Sequence, residues 1–293
     1  MDLPNESLPQ EVQQAMSQGI PVKRRDDSSV QSVLNDINAS TTNVPMEVIG
    51  LPSEGKYYPS NSSLSTGKIS LRYPTARDED ILVSRNLLQK GIALDMFIGS
   101  LIVDKNVNLD DLLLGDKNAL TVAARILAYG TEYDSQMKCP SCGELNKVKI
   151  DLSTVETKEV ELSGDTDGNH VFILPLSKAE VVFKLLDGHD LKKIDEEIKQ
   201  FKKRLKGNVE PESTIRLKYA IKSINGENSL NFIHNFVNSM PSQDALKLRD
   251  QIHKLTPDMD MIFDFECSEC SYSERSTIPL GVSFFWPSGI QNR

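Results

Sequence analysis

The sequence predicts an α+β fold: short β hairpins stapled together by paired cysteines, an N-terminal helical bundle before them and an α-helical subdomain inserted between them. Three observations predict it. The four cysteines fall into two pairs, Cys139-Pro140-Ser141-Cys142 and Cys267-Ser268-Glu269-Cys270. Alternating apolar and polar residues flank each pair, as strands require. Elsewhere apolar residues recur at helical spacing between glycine and proline breaks.

The cysteine pairs carry the chemistry. Each CxxC turn presents two thiolates to one ion, so Cys139, Cys142, Cys267 and Cys270 make up the complete tetrahedral set of a single zinc. Four thiolates leave no open coordination position, which makes the expected ion structural rather than catalytic. Its binding free energy, on the order of 10 kcal/mol or more, is then coupled to folding. In a compact zinc ribbon about 15 to 20 residues separate the two pairs, whereas here residues 143 to 266 intervene, so a domain inserted into a zinc-ribbon-like module is expected. Three alternatives stand beside zinc. A redox CxxC normally opens a helix within a βαβ unit, and neither pair has that setting. Disulfides need an oxidising compartment, and the opening Met-Asp-Leu-Pro-Asn-Glu carries no basic and apolar leader. Free buried thiols are the third. Pro140 and Gly143 favour the tight turn of the first knuckle, while the second, followed by Ser271, lacks the glycine. His170, His189, His234 and His253 stand apart, with no HxxxH or HExxH spacing.

Composition limits the partners. The chain of 293 residues is 39% hydrophobic, enough for ordinary cores in one or two domains with a tail. Its formal net charge of −9 and pI near 5.1 oppose direct nucleic-acid binding, which needs a basic face to neutralise phosphates. The basic stretch from Lys192 to Lys206 is interleaved with Asp195, Glu196 and Glu197, the pattern of a solvated helix. No run of about 18 apolar residues offers a membrane span.

Residues 1–46 are rich in Pro, Ser, Thr and charge and read as a disordered N-terminal tail. Two short helical patterns within it, Val12-Ala15-Met16 and Val30-Val33-Leu34-Ile37, suit helices formed on a partner. Residues 47–130 read as an extended arm, a strand and a helical bundle. The arm is Leu51 to Pro59, whose Tyr57 and Tyr58 between Pro52 and Pro59 are candidate partner-binding anchors as well as candidate packing residues. The strand is Ile69 to Tyr73. Asp78-Glu79-Asp80 then opens a helix, Leu94 to Ile102 supplies a second, and Asp116 to Tyr129 a third that stops at Gly130.

Residues 131–175 and 256–293 read as the zinc-ribbon-like β module. Strands are expected at 133–138 and 147–152 around the first knuckle and at 261–265 and 276–280 around the second. Val160 to Leu162 and His170 to Leu174 flank Asp165-Thr166-Asp167-Gly168 as a third hairpin; that turn lacks the further ligands of a calcium loop. Residues 176–255 read as the inserted helical subdomain, with helices at 179–186, 191–205, 214–224, 229–237 and 243–255.

No GxGxxG follows a strand, and no GxxxxGK[ST], no GxSxG and no nucleophile with an obvious base is present, so no catalytic activity is expected. The arm Leu51-Pro52-Ser53-Glu54-Gly55-Lys56-Tyr57-Tyr58-Pro59 precedes the strand Ile69 to Tyr73 and Asp78-Glu79-Asp80. Ala123-Ala124-Arg125-Ile126-Leu127-Ala128-Tyr129-Gly130 then leads into Cys139-Pro140-Ser141-Cys142, and Phe284-Phe285-Trp286-Pro287 follows the second knuckle. Over roughly residues 45 to 290 this resembles the baseplate hub and hub-assembly proteins of T-even-like contractile-tailed bacteriophages. The resemblance implies a structural or assembly role without an active site, other baseplate proteins as partners in a symmetric assembly, and a place in the virion tail or in the host cytoplasm during assembly. The alternative from another class is a zinc-ribbon adaptor subunit of a nucleic-acid-processing complex. Its CxxC pairs suit that role and its acidic balance does not.

Overall fold

A computed structural model describes residues 45–160, 164–165, 168–204 and 211–285. The expected tail up to residue 44, part of the expected strand at Val160 to Leu162, and Trp286-Pro287 lie outside the described residues. Strand β1 (Met46–Gly50) pairs antiparallel with β2 (Lys68–Arg72), Val48 opposite Ser70. The segment between them is not the extended arm that its prolines suggest: residues 52–57 form a run of turns, with Leu51, Pro52 and Ser53 buried. Glu54, Gly55 and Gly67 all adopt left-handed backbone, at φ 51°, 80° and 67°. A Cβ on Gly55 would sit 2.4 Å from the Ser65 carbonyl oxygen and one on Gly67 would sit 2.6 Å from the Glu54 backbone. Two glycines that nearly touch let the chain double back, where a side chain at either would force it open.

The acidic start of the first expected helix does more than complement the helix dipole. In α1 (Ala76–Val83) the fully buried Asp78 receives both ends of the Arg72 guanidinium at 2.7 Å, the Thr75 N–H and hydroxyl at 2.8 and 2.7 Å, and the Ser100 hydroxyl at 3.2 Å. Ser100 belongs to α3 (Ala93–Leu101), which follows the short α2 (Arg85–Lys90). Burial alone would raise the Asp78 pKa, but the Arg72 and Thr75 hydrogen bonds overcome it and hold the carboxyl below its ordinary 3.8. Breaking one side of a buried pair strands the other charge, so Asp78→Ala is expected to cost about 3–5 kcal/mol in urea unfolding at pH 7. Because the native pKa is depressed, that stabilisation is complete above pH ~4 and fades as the pH falls through the native value. The gap between wild type and Asp78→Ala should therefore narrow in acid.

The long helix α4 (Leu114–Tyr129) is aimed by two contacts at its ends. At the start, a Cβ on Gly115 would lie 1.9 Å from the Pro257 carbonyl oxygen and 2.7 Å from Asp258 Cα. Gly115→Ala must therefore move backbone, not a side chain, and is expected to destabilise by about 3 kcal/mol or more, read as a lower denaturant midpoint. Near the other end Arg125, only 2% exposed, donates to the carbonyls of Phe284, Gly130 and Glu132 at 3.2, 3.1 and 3.2 Å. Phe284 and Phe285 are buried beside Tyr133 and Phe97, with ring centroids 4.9 and 5.0 Å apart.

Two hairpins carry the cysteine pairs in the turns between their strands. Strand β3 (Glu132–Lys138) pairs with β4 (Leu145–Asp151), and far along the chain β8 (Ile262–Glu266) pairs with β9 (Ser273–Thr277). Thr157 bridges to Met259, joining the two halves at the base.

The insertion is not wholly helical. The helix expected at 179–186 is strand β6 (Glu180–Lys184), the centre of an antiparallel sheet ordered β5 (Asn169–Ile173), β6, β7 (Ile221–Ile224). Ala179, Val181, Phe183 and Leu185 are buried while Glu180 is exposed and Val182 and Lys184 are half-buried, a period of two that the dense apolar run concealed. The helix expected at 214–224 ends at Ala220 as α6 (Glu212–Ala220), and its last four expected residues are β7. His170 to Ile173 pairs with Glu180 to Phe183. Around this sheet α5 (Gly188–Arg204), α6, α7 (Leu230–Ser239) and α8 (Ser242–Leu255) complete the insertion, and Val181, Phe183, Ile221, Ile224, Ile233 and Leu248 form its core. Mixed helix and small antiparallel sheets make the described chain α+β.

Candidate metal centre

The four cysteines meet at the tips of the two stapled hairpins, all four sulfurs within 4.8 Å of one another. Cys139 Sγ lies 3.7 Å from Cys270 Sγ, and Cys142 Sγ lies 3.6 Å from Cys267 Sγ. A metal–sulfur bond of about 2.3 Å in a tetrahedron places sulfurs about 3.8 Å apart, so the thiols already stand near the spacing that a zinc-sized ion imposes. One cysteine of each pair, Cys139 and Cys267, is buried against Phe265, with Met137, Val148, Phe263 and Tyr272 around them. Cys142 and Cys270 are exposed.

The two knuckles are built alike. Cys139 N–H donates to the Glu144 carbonyl at 2.8 Å, and Gly143 N–H donates back to the Cys139 carbonyl at 2.9 Å. In the second, Cys267 N–H donates to the Tyr272 carbonyl at 2.8 Å, and Ser271 N–H to the Cys267 carbonyl at 3.0 Å. The position taken by Gly143 at φ 80° is taken by Ser271 at φ 55°, so the knuckle without a glycine adopts the same left-handed turn at some backbone strain.

The thiols are electrostatically unequal. The N–H groups of Cys270 and then Glu269, helped by the Asn146 amide, draw Cys267 down to about 6. Cys142 is pushed up to about 12: the Glu144 N–H favours its thiolate, but desolvation and the three neighbouring sulfurs outweigh that donor. The closeness of the sulfurs opposes ionising them together, an opposition that a bound cation would relieve.

Asn146 has no signature in the sequence beyond its place four residues after Cys142. Its side chain is 5% exposed and spans from the first hairpin to the second knuckle, where its carbonyl oxygen accepts the Ser268 N–H and hydroxyl, both at 2.9 Å.

Tyr57 and Tyr58 are placed elsewhere, lining a cleft of about 410 Å³ with Leu113, Lys184 and Asp187. The Tyr58 hydroxyl donates to Asp116 and accepts the Leu113 N–H at 3.0 Å. Asp116 is fully buried and also receives the Ser53 N–H and hydroxyl at 2.9 and 2.6 Å. Burial raises the Asp116 carboxyl above its usual value, and burial next to Asp116 raises the Tyr58 phenol well above its own. Tyr58 is thus part of the chain's own packing and not a ring on a free arm. The Tyr57 ring is half-buried, 5.8 Å from His170, which stacks on Phe183 at 5.3 Å.

The charged groups that line the cleft are already engaged, Lys184 with Asp190 at 2.5 Å and Asp111 with His189 at 2.8 Å. Among the described residues no helix is long and apolar enough to cross a membrane.

Comparison with known proteins gives a family match. A profile of the family described as T4 bacteriophage base plate protein matches residues 45–286. No curated protein and no solved structure matches the chain. Both hairpins with their cysteines, the turns around Tyr58 and the buried Phe284-Phe285 all fall inside that match, which spans most of the sequence, and the chain belongs to the T4 bacteriophage base plate protein family.

Proposed function

We propose that this baseplate protein is a structural or assembly component of the hub region, non-catalytic, held in shape by one zinc ion on Cys139, Cys142, Cys267 and Cys270, and bound to other baseplate proteins within a symmetric assembly. The observation that carries the metal reading is the gathering of four sulfurs from two distant knuckles within 4.8 Å of one another, two of the pairs at 3.6 and 3.7 Å. Thiolate sets of this kind close a structural zinc site and leave no position for water. The hub assignment rests on the resemblance carried by Leu51 to Pro59 and by the first knuckle. The reading without catalysis rests on the sequence, which carries none of the common nucleotide-binding or nucleophile motifs. Tyr57, half-exposed in the lining of the cleft beside Lys184 and Asp187, is the residue we assign to partner contact, whereas Tyr58 is tied to Asp116 and Leu113.

Two measurements test this reading. Elemental analysis of protein purified without chelator should find one zinc per chain. Pull-down of the tagged chain from infected cells should recover baseplate proteins, and Tyr57→Ala should reduce that recovery with little change in melting temperature. Salt-sensitive retention of DNA or RNA, with no baseplate protein recovered, would instead establish the adaptor reading. Mass spectrometry of purified virions distinguishes a retained component from an assembly factor left in the host cytoplasm.

A further inference from the structure

We infer that Asn146 is the positioning residue of the metal centre, clamping the second knuckle to the first and setting Cys267 as a ligand; this rests on the metal reading above. Asn146 lies on β4 opposite Met137, outside the cysteine quartet. A side-chain amide has two N–H donors and two acceptor lone pairs, and here all four are used. Nδ2 donates to the Glu144 carbonyl at 3.1 Å and to Cys267 Sγ at 3.5 Å. Oδ1 accepts the Ser268 N–H and the Ser268 hydroxyl, each at 2.9 Å.

The partners belong to both half-sites. Glu144 supplies the carbonyl that closes the first knuckle on Cys139, and Ser268 directly follows Cys267. One rigid, buried side chain therefore joins two turns that are more than 120 residues apart in sequence (|i−j| = 121 for its bond to Cys267). The second hairpin returns no equivalent: Glu274, which stands four residues after Cys270 as Asn146 stands after Cys142, accepts the Tyr272 hydroxyl at 2.8 Å. The clamp is one-sided, so a single residue decides whether the half-sites arrive in register. An N–H directed at a ligating sulfur also stabilises its negative charge and orients it, and outer partners of this kind typically change metal affinity by 10- to 100-fold.

Asn146→Asp separates the two ends of the clamp. It keeps the oxygen that Ser268 needs, removes the donor to Cys267 and adds a carboxylate beside the sulfurs. Zinc affinity of the full chain, measured by competition with a chromophoric chelator, should fall about 10- to 100-fold, and the sulfur-to-metal charge-transfer band of the cobalt(II) form should shift. Ser268→Ala, which loses one bond to the oxygen end, should change affinity by less than about 3-fold. Purely structural glue would move the melting temperature without moving the cobalt spectrum. A second measurement needs no variant: in the wild type loaded with cadmium-113, the Asn146 side-chain amide proton should show scalar coupling to the metal across the N–H···S contact. An Asn146→Asp protein with unchanged zinc affinity and an unshifted band, or no coupling in the cadmium form, overturns the assignment. Wild-type protein that binds no zinc, cobalt or cadmium overturns the metal reading itself, a different result from a variant that merely equals the wild type.

Discussion

Cys139→Ser or Cys267→Ser is expected to yield a protein without stoichiometric zinc that protease cuts readily between residues 153 and 260. Each serine removes one of four thiolates, and the ion held by the remaining three no longer offsets the cost of gathering and deprotonating the thiols. The insertion is then tethered at its base by the Thr157 to Met259 bridge and the Gly115 contact with Pro257, without the staple at the tips. A loss of roughly 5 kcal/mol corresponds to about 10–20 °C in melting temperature for a domain of this size. Calorimetry and limited proteolysis, each with and without added zinc, read the effect. Wild-type protein that is zinc-free after chelator-free purification, or that carries its four cysteines as disulfides, would refute the expectation.

The second large effect is expected at Arg125. Its guanidinium reaches three carbonyls in three directions, on Phe284, Gly130 and Glu132, with the Tyr129 and Tyr133 rings 5.0 and 5.8 Å from its centre. Arg125→Ala leaves those carbonyls without their donor and opens a cavity beneath Phe284, at an expected cost of about 3–5 kcal/mol. Arg125→Lys should recover little, because one ammonium cannot satisfy three acceptors spread around a planar fork. Urea unfolding gives the magnitude, and hydrogen exchange should show protection lost first in β3 and around Phe284-Phe285. Equal stability of Arg125→Lys and wild type would show that charge alone matters there.

The parts legible in the sequence are those written in local spacing. Each CxxC announces its own turn, and the helix from Asp116 to Tyr129 announces itself by period and by Gly130. What stayed hidden depends on partners far away in the chain. Val181-Val182-Phe183 fills a three-stranded sheet only because Ile221 to Ile224 comes back to pair with it, and a short apolar run does not reveal that pairing. Tyr58 read equally as an anchor for another protein and as internal packing, because its acceptor, Asp116, lies 58 residues further on. Asp78 showed its helix-starting role but not its buried pairing with Arg72. Ser271 gave no hint that a residue with a side chain would take the turn of Gly143, since nothing but the fold around Cys267 demands it.

The separation of the knuckles also sets an order of events in time. Cys139 and Cys270 stand 131 positions apart, so at a synthesis rate of about 5–20 residues per second the first half-site leaves the ribosome roughly 7 to 26 s before the second exists. During that interval it offers only two thiolates, a weak and open site, while the insertion has time to fold on its own local contacts. On the zinc reading proposed above, a four-thiolate site would close only after Cys267 and Cys270 have been made, so a chain carrying its ion would be one whose insertion has already been synthesised.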